Sequence, residues 1–288
     1  MTGFSCISTP IAVTSGTSNK ADDNHLTRTQ ASPSIQRYDR LDTRPAPCSG
    51  VTDALYLDSS TERRFEATVE RSLDSRVVLD RTHFYPEGGG QPADRGTLVA
   101  DGREWTVTDV QKSDTIYHHV TGEPPAEGTV ATGTVDADRR DTLTRYHTAQ
   151  HLLSAVLLDE YDAPTRGNQI YTGYARLDAA YDRFGETELA DIEARMNAHV
   201  EADRDIRWYT LDREKAEIEL DPERTRIELL PDSITELRIV EIAGEEGVFD
   251  RTACAGTHVE QTGDIGFVVI TERESAGAGE ERIRIELE

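Results

Sequence analysis

The sequence is poor in lysine, cysteine and aromatic residues. Of its 31 basic residues only three are lysines, Lys20, Lys112 and Lys215, and aromatic residues make up 6% of the 288. Three cysteines cannot form the disulfide framework of a small secreted protein, which fits a reducing cytosol. No apolar run approaches the roughly 20 residues that span a bilayer, and the first residues lack the features of a secretory signal. We therefore expect a cytoplasmic protein without a membrane partner.

Negative charge is what the sequence has in excess. Its 55 Asp and Glu against 31 Lys and Arg give a formal charge of −24, with +1 on residues 1–50 and −25 on residues 51–288. An acidic, lysine-poor surface is typical of proteins that work in very high salt, where screening weakens self-repulsion, so we predict a halophilic protein. Such a charge argues against a nucleic-acid partner, but only weakly, because strong salt screens the long-range field.

Composition and hydrophobic pattern divide the chain into three stretches. Residues 1–50 contain fourteen Ser and Thr and no hydrophobic period, which predicts a disordered tail. Residues 51–136 contain several short alternating segments with turn signals such as Asp101-Gly102, the pattern of a small β-barrel. Residues 137–288 combine two amphipathic helices with strands. The predicted fold class is α+β, with the small barrel first and an α+β domain after it.

Four cysteine and histidine residues occur as two closely spaced pairs. His147 and His151 lie one turn apart on the first predicted helix, on the side opposite its apolar stripe. Cys254 and His258 form a second pair far downstream. Two short-spaced pairs separated by a long stretch are the usual layout of a zinc site, so we predict one Zn²⁺ per chain in the second domain. A solvated helix face and a buried structural cysteine are the alternatives.

A glycine-rich motif, Gly88-Gly89-Gly90-Gln91, follows an apolar segment of the predicted barrel. It lacks the Gly-Lys-Ser/Thr of a P-loop and the glycine spacing of a dinucleotide fingerprint. Consecutive glycines allow the backbone to approach a ligand closely. A flexible barrel turn is the alternative, but it does not explain the two aromatic residues that precede the motif.

Three motifs, in this order, resemble those of a known family: Phe84-Tyr85-Pro86-Glu87-Gly88-Gly89-Gly90-Gln91, His147-Thr148-Ala149-Gln150-His151 and Cys254-Ala255-Gly256-Thr257-His258. Over residues 51–288 the chain resembles the editing domain of alanyl-tRNA synthetase. It is most similar to the free-standing AlaX-type alanyl-tRNA editing proteins of medium length. One departure is Ala255, where the family usually has a second glycine. The resemblance assigns residues 137–288 as the zinc-binding editing domain, with His147, His151, Cys254 and His258 as its ligands.

The resemblance implies a zinc-dependent deacylase whose partner is mischarged alanine tRNA; no obligate protein partner is evident. The family hydrolyses the ester that joins serine, and sometimes glycine, to alanine tRNA. Such editing is needed because one small group changes binding by only about 1–3 kcal/mol, too little for a single site. A second site that hydrogen-bonds the seryl hydroxyl accepts serine and spares alanine. Thr148, Asn168 and Gln169 are the candidates for this contact.

Two other functions are compatible with the residues. One is a zinc hydrolase of another ester or amide, and the other is a non-catalytic tRNA-binding module with structural zinc. The glycine-rich motif argues against the second, since a structural site has no need of it. The candidates for contacts with tRNA phosphates are five arginines: Arg139, Arg140, Arg145, Arg166 and Arg251. The alternative for each of them is an ion pair at the surface.

The start of the resemblance leads to an expectation about the N-terminus. The similarity begins abruptly at Val51, and valine can be encoded by GTG, a common prokaryotic start codon. We therefore expect Val51 to be the initiator and residues 1–50 to be an extension of the gene model. A real disordered tail is the alternative.

Overall fold

Alternating apolar residues build a closed β-barrel in the first part of the described chain. The structure, a computed structural model, describes residues 51–288, so the predictions about the tail lie outside the described residues. Strands β1 to β8 are Asp53–Ala54, Arg64–Leu73, Arg76–Leu79, Arg81–Thr82, Gly96–Ala100, Arg103–Lys112, Ile116–Val120 and Val130–Val135. Six of them close the barrel in the order β2-β3-β7-β6-β5-β8. Phe65, Ala67 and Val69 of β2 are buried inside it, as their period of two predicts.

Helices and two further sheets form the rest of the molecule. The helices are α1, Ala137–Tyr161; α2, Glu186–Glu201; and α3, Arg213–Glu219. Strands β9 to β15 are Thr165–Ile170, Ala175–Ala180, Ile206–Asp212, Glu236–Ala243, Val248–Ala253, Val268–Gly277 and Glu280–Leu287. One sheet has the order β14-β15-β10-β9 and the other β11-β12-β13. The predicted α+β class and the barrel are confirmed. No helix of residues 51–288 is long and apolar enough to span a membrane.

Helix α1 is the central element of the second part. It begins after Asp136, whose side chain accepts a hydrogen bond from the backbone N–H of Arg139, and it ends at Asp162 in the left-handed conformation. From Leu143 to Leu157 nearly every residue is buried. The apolar side packs on the core that includes both neighbouring strands β9 and β10, and the side with the histidines is also covered. The helix therefore separates a hydrophobic core from a buried polar site.

One predicted strand differs from the structure. The sequence pattern of residues 265–271 predicts a strand, but Thr262–Ile265 forms a 3₁₀ turn and the strand begins at Val268. Gly266, at a φ of 84°, lies between the two elements and changes the direction of the chain. Helix α3 was not predicted, because seven residues are too few to show a helical period.

Candidate active site

The four residues predicted to bind zinc lie together where α1 meets the segment after β13. One ligand atom from each of His147, His151, Cys254 and His258 lies within 4.8 Å of all the others. The Sγ atom of Cys254 is 3.4 Å from Nε2 of His147 and 3.4 Å from Nε2 of His258. Tetrahedral zinc with its usual bond lengths separates a sulfur and a nitrogen ligand by about 3.6 Å. The cluster can therefore hold a metal ion, and its donor set is consistent with zinc.

Gln91, the last residue of the glycine-rich motif, orients His147. Its Oε1 accepts hydrogen bonds from Nδ1 of His147 at 2.7 Å and from the backbone N–H of Thr257 at 3.1 Å. A proton on Nδ1 leaves the lone pair of Nε2 facing Cys254. Gly256 packs against the same ring, so closely that a Cβ there would lie 2.0 Å from Cε1 of His147. Only glycine fits at this position.

The other two histidines also have polar groups on their outer side. Nδ1 of His258 lies 3.2 Å from Oγ1 of Thr148. Nδ1 of His151 is 3.8 Å from the carboxylate of Asp250, which accepts two hydrogen bonds of 2.7 Å from Arg224. Metal-binding histidines usually have such a partner at their second nitrogen. His147 and His258 follow this arrangement, whereas Nδ1 of His151 is buried and has no hydrogen-bond partner among the described residues.

Burial sets the protonation of the cluster in the absence of metal. It lowers the pKa of His147 to about 3, and it holds the pKa values of His151 and His258 well below their ordinary value. Burial also raises the pKa of the Cys254 thiol. The histidines are therefore neutral and ready to bind metal, whereas the thiol has to release its proton when metal binds.

A cavity of about 400 Å³ opens onto three of the four ligands. His147, His151 and Cys254 form part of its wall, and His258 does not. Residues 85–89 of the glycine-rich loop line it from the barrel, and β9 lines it from the other part of the molecule. This volume lies in the range of sites for small ligands. A metal ion in the cluster would be accessible from the cavity.

The structure separates the three residues predicted to contact a seryl hydroxyl. Asn168 lines the cavity, opposite Leu177 in the register of β9 and β10. Gln169, the next residue, faces away from that side and donates to the carbonyl of Gly90 at 3.1 Å. Thr148 is fully buried and is absent from the cavity wall, because its hydroxyl is directed to His258 and to the backbone of α1.

Part of the glycine-rich motif lines the cavity, and part of it contacts the neighbouring strand and the metal-binding cluster. Gly88 and Gly89 line the cavity. The carbonyl of Gly90 accepts a hydrogen bond of 2.8 Å from the backbone N–H of Ile170, and a Cβ at Gly90 would lie 2.5 Å from Oδ1 of Asn168. The motif thus connects the barrel to β9 and to the metal cluster.

Gln150 belongs to the cavity wall, although it was not among the residues predicted from the sequence. Its Nε2 donates to the carbonyls of Gln169 at 3.2 Å and Arg176 at 2.8 Å. Its Oε1 is buried and has no hydrogen-bond partner among the described residues. A signal was present, since Gln150 lies one helical turn after His147 and shares its face of α1.

None of the five arginines proposed for phosphate contacts lines the cavity as residues 51–288 form it. Four of them bind other groups: Arg139 the carbonyl of Ala93, Arg140 the carboxylate of Asp94, Arg145 the carbonyl of Ile265, and Arg251 the carboxylates of Glu219 and Glu241. The cavity wall instead includes Lys112 and Arg226, which no sequence pattern had indicated.

Comparison with known proteins assigns the family. Family models match at residues 12–139 (tRNA synthetases class II (A)) and 237–284 (threonyl and alanyl tRNA synthetase second additional domain). The chain is 38% identical over 241 residues to the alanyl-tRNA editing protein AlaX-M of Methanosarcina barkeri, covering 81% of this chain and 98% of that protein. The chain belongs to the AlaX-M family. The AlaX-M protein of Methanosarcina mazei is 36% identical, with 82% and 97% covered. The family expected from the three motifs is confirmed.

The AlaX-M family member described here is also similar to part of a longer enzyme. It is 33% identical to the alanine–tRNA ligase of Pyrobaculum neutrophilum over 95% of this chain but only 31% of the ligase. The chain therefore spans about a third of that relative's length. The synthetase match begins at residue 12, so sequence similarity extends upstream of Val51, where the resemblance had been expected to begin.

Proposed function

We propose that this protein is a zinc-dependent hydrolase that removes serine from mischarged alanine tRNA. Its AlaX-M relatives are named alanyl-tRNA editing proteins. The observation that carries the proposal is a metal-binding cluster that opens onto a cavity of about 400 Å³. A purely structural zinc site needs no such access. This access favours an enzyme over a tRNA-binding module with structural zinc.

The residues around the cluster fit the hydrolysis of an ester. Zinc held there would supply a Lewis acid for the ester carbonyl. His147, His151 and Cys254 face the cavity, so the reacting carbonyl would lie on their side of the cluster. Gln91 holds the ring of His147 in place through its Nδ1. The backbone of Gly88 and Gly89 leaves room on this wall for the substrate because neither residue has a side chain.

Gln150 supports a preference for serine over alanine. Its Nε2 is committed to two carbonyls, so the side-chain amide cannot turn over to satisfy the unpaired Oε1. A seryl hydroxyl that reached this oxygen would donate to it, whereas an alanyl methyl group would leave it unpaired, as it is in the free protein. An unpaired buried acceptor costs about 1–3 kcal/mol. Asn168 is the second polar group available to the hydroxyl.

A deacylation panel with seryl-, glycyl- and alanyl-charged alanine tRNA tests the proposal. We expect fast hydrolysis of the seryl ester, slow hydrolysis of the alanyl ester and loss of activity with a chelator. Cys254→Ala should lose both zinc, measured by elemental analysis, and activity, because it removes the only thiolate of the cluster. A variant that retains full zinc and full rate would contradict the metal assignment.

Gln150→Met tests the selectivity separately. It keeps the length of the side chain but removes the acceptor, so the preference for the seryl over the alanyl ester should shrink by about 1–3 kcal/mol. Gln111→Met is the matched control, since Gln111 is exposed on β6 and is absent from the cavity wall. An unchanged ratio of kcat/KM values would remove Gln150 from this role.

A further inference from the structure

Two cations that have no ion-pair or hydrogen-bond partner within residues 51–288 line the cavity. Lys112 is the last residue of β6 in the barrel, and Arg226 lies between α3 and β12 in the other part of the molecule. Both residues are exposed, and neither side chain makes an ion pair or hydrogen bond within residues 51–288. They approach the cavity from different parts of the fold. A ligand in the cavity would therefore have both cations in the wall around it.

The backbone at each cation is held in place. Lys112 pairs with Ile116 of β7, which is buried in the barrel. The neighbour of Arg226, Thr225, is buried and hydrogen-bonds through its hydroxyl to Oγ1 of Thr252 at 2.6 Å. Each cation thus projects from an ordered base, while its own side chain remains free to bind.

The charge around the cavity differs from that of the chain as a whole, which is strongly acidic. Residues 51–288 contain 51 acids and 26 bases, and more than half of these bases lie within ion-pair distance of a carboxylate. At the cavity the exposed charges balance, because the wall contains two exposed cations, Lys112 and Arg226, and two exposed carboxylates, Glu87 and Glu223. The repulsion of a polyanion is therefore weaker here than on an average part of the surface.

We propose that Lys112 and Arg226 bind backbone phosphates of the 3′-terminal nucleotides of tRNA. The inference rests on the proposed function, which puts the aminoacyl ester at the metal cluster. The ester is attached to the terminal ribose, so the first phosphates of the RNA would follow it along the cavity wall that includes these two side chains. Arginine and lysine are the side chains that bind phosphate, arginine through two parallel hydrogen bonds. The pair selects esters carried on RNA over esters of the same amino acid without phosphate.

Substrates with and without phosphate test the inference. Lys112→Gln and Arg226→Gln should each raise KM for seryl-charged alanine tRNA about two- to fivefold, the effect of an exposed charge pair. Hydrolysis of 3′-O-seryl adenosine, which has no phosphate, should not change. In a potassium chloride series, the slope of log KM against log salt should fall by about 0.7 for each phosphate that a variant no longer binds.

Two other cations serve as matched controls. Lys215 is exposed on α3 and pairs with Asp212, and Arg64 is an exposed arginine of β2 without an ion pair in the described part of the chain. Neither lines the cavity. Lys215→Gln and Arg64→Gln should leave both the KM for tRNA and its salt slope at the wild-type values.

The outcomes separate this inference from the proposed function. A wild-type KM and salt slope in both cavity variants would overturn it, and so would an equal loss on tRNA and on seryl adenosine. If the wild type hydrolyses neither substrate, the proposed function fails. Fluorescence anisotropy of an oligoribonucleotide ending in CCA then tests phosphate binding alone. Affinity that drops in the double variant supports the phosphate contact, and equal affinity refutes it.

Discussion

At the scale of residues, one carboxamide gives the glycine-rich motif a role in the metal site. The motif first suggested a loop that approaches the substrate, and Gly88 and Gly89 fit that view. Gln91 instead faces inward, is fully buried and divides its bonds between His147 and Thr257. A residue of the loop between β4 and β5 therefore determines the tautomer and the direction of the His147 ring on α1.

Replacing Gln91 should weaken metal binding. We expect Gln91→Met to lower the zinc affinity about 10- to 100-fold, because His147 loses the acceptor that orients its ring. Competition with a chromogenic chelator measures the affinity. Gln111→Met, on the exposed surface of β6, is the control and should bind zinc as the wild type does. Equal affinity in the two variants would show that the packing of Gly256 alone positions His147.

At the scale of elements, the barrel has a buried polar contact of its own. His118 of β7 is fully buried, and its Nε2 lies 2.9 Å from Oγ1 of Thr82 on β4. Its Nδ1 lies 3.4 Å from the carbonyl of Val77 on β3. Burial lowers the pKa of His118 to about 4. The barrel therefore contains this imidazole in its neutral form.

This histidine should make the stability of the protein depend on pH. The unfolded chain takes up the proton near pH 6.5 and the folded chain only near 4, so the contribution is complete above 6.5 and is lost as the pH falls. Between about pH 7 and 4.5 it amounts to about 2–3 kcal/mol of unfolding free energy. Urea denaturation of the wild type and His118→Gln, both in chelator, measures the difference. Parallel pH profiles would contradict the assignment.

At the scale of the whole molecule, a buried ion pair joins the barrel to α1. Arg140 and Asp94 are both fully buried, and the guanidinium binds the carboxylate through Nε and Nη2. Asp94 also accepts the backbone N–H of Tyr85 at 2.7 Å, and Arg140 donates to the carbonyl of His83 at 2.5 Å. The pair therefore fixes the loop of the glycine-rich motif to the helix that carries His147 and His151.

Breaking this pair should destabilise the protein strongly. Arg140→Met leaves the carboxylate of Asp94 buried without its partner, which costs about 3–5 kcal/mol of unfolding free energy. Arg195→Met is the control: Arg195 pairs with Glu160 and Asp191 at the surface, where solvent screens the charges, and its loss should destabilise the protein far less. Urea denaturation gives both values. Similar losses in the two variants would mean that burial adds nothing to the pair.

Local patterns were enough to predict the barrel, the two longer helices and the cluster of four cysteine and histidine residues. The alternation of Phe65, Ala67 and Val69 indicated a barrel strand, because a period of two puts these side chains on one face. His147 and His151 belong to one helical turn, so their spacing alone brings them together. The arrangement of the two pairs also required no knowledge of the fold, since zinc accepts ligands from distant segments.

Contacts between distant segments were decided only by the tertiary structure. Gln91 and His147 are 56 residues apart, and Thr148 and His258 are 110 apart. No local pattern indicates which face of one element packs on another. The sequence therefore suggested a substrate contact for Thr148, whereas in the fold its hydroxyl contacts the ring of His258. The tertiary structure also decides that Oε1 of Gln150 has no hydrogen-bond partner among the described residues. Whether a buried polar atom is paired depends on its neighbours, and these come together only when the barrel loop, α1 and the Cys254–His258 segment pack.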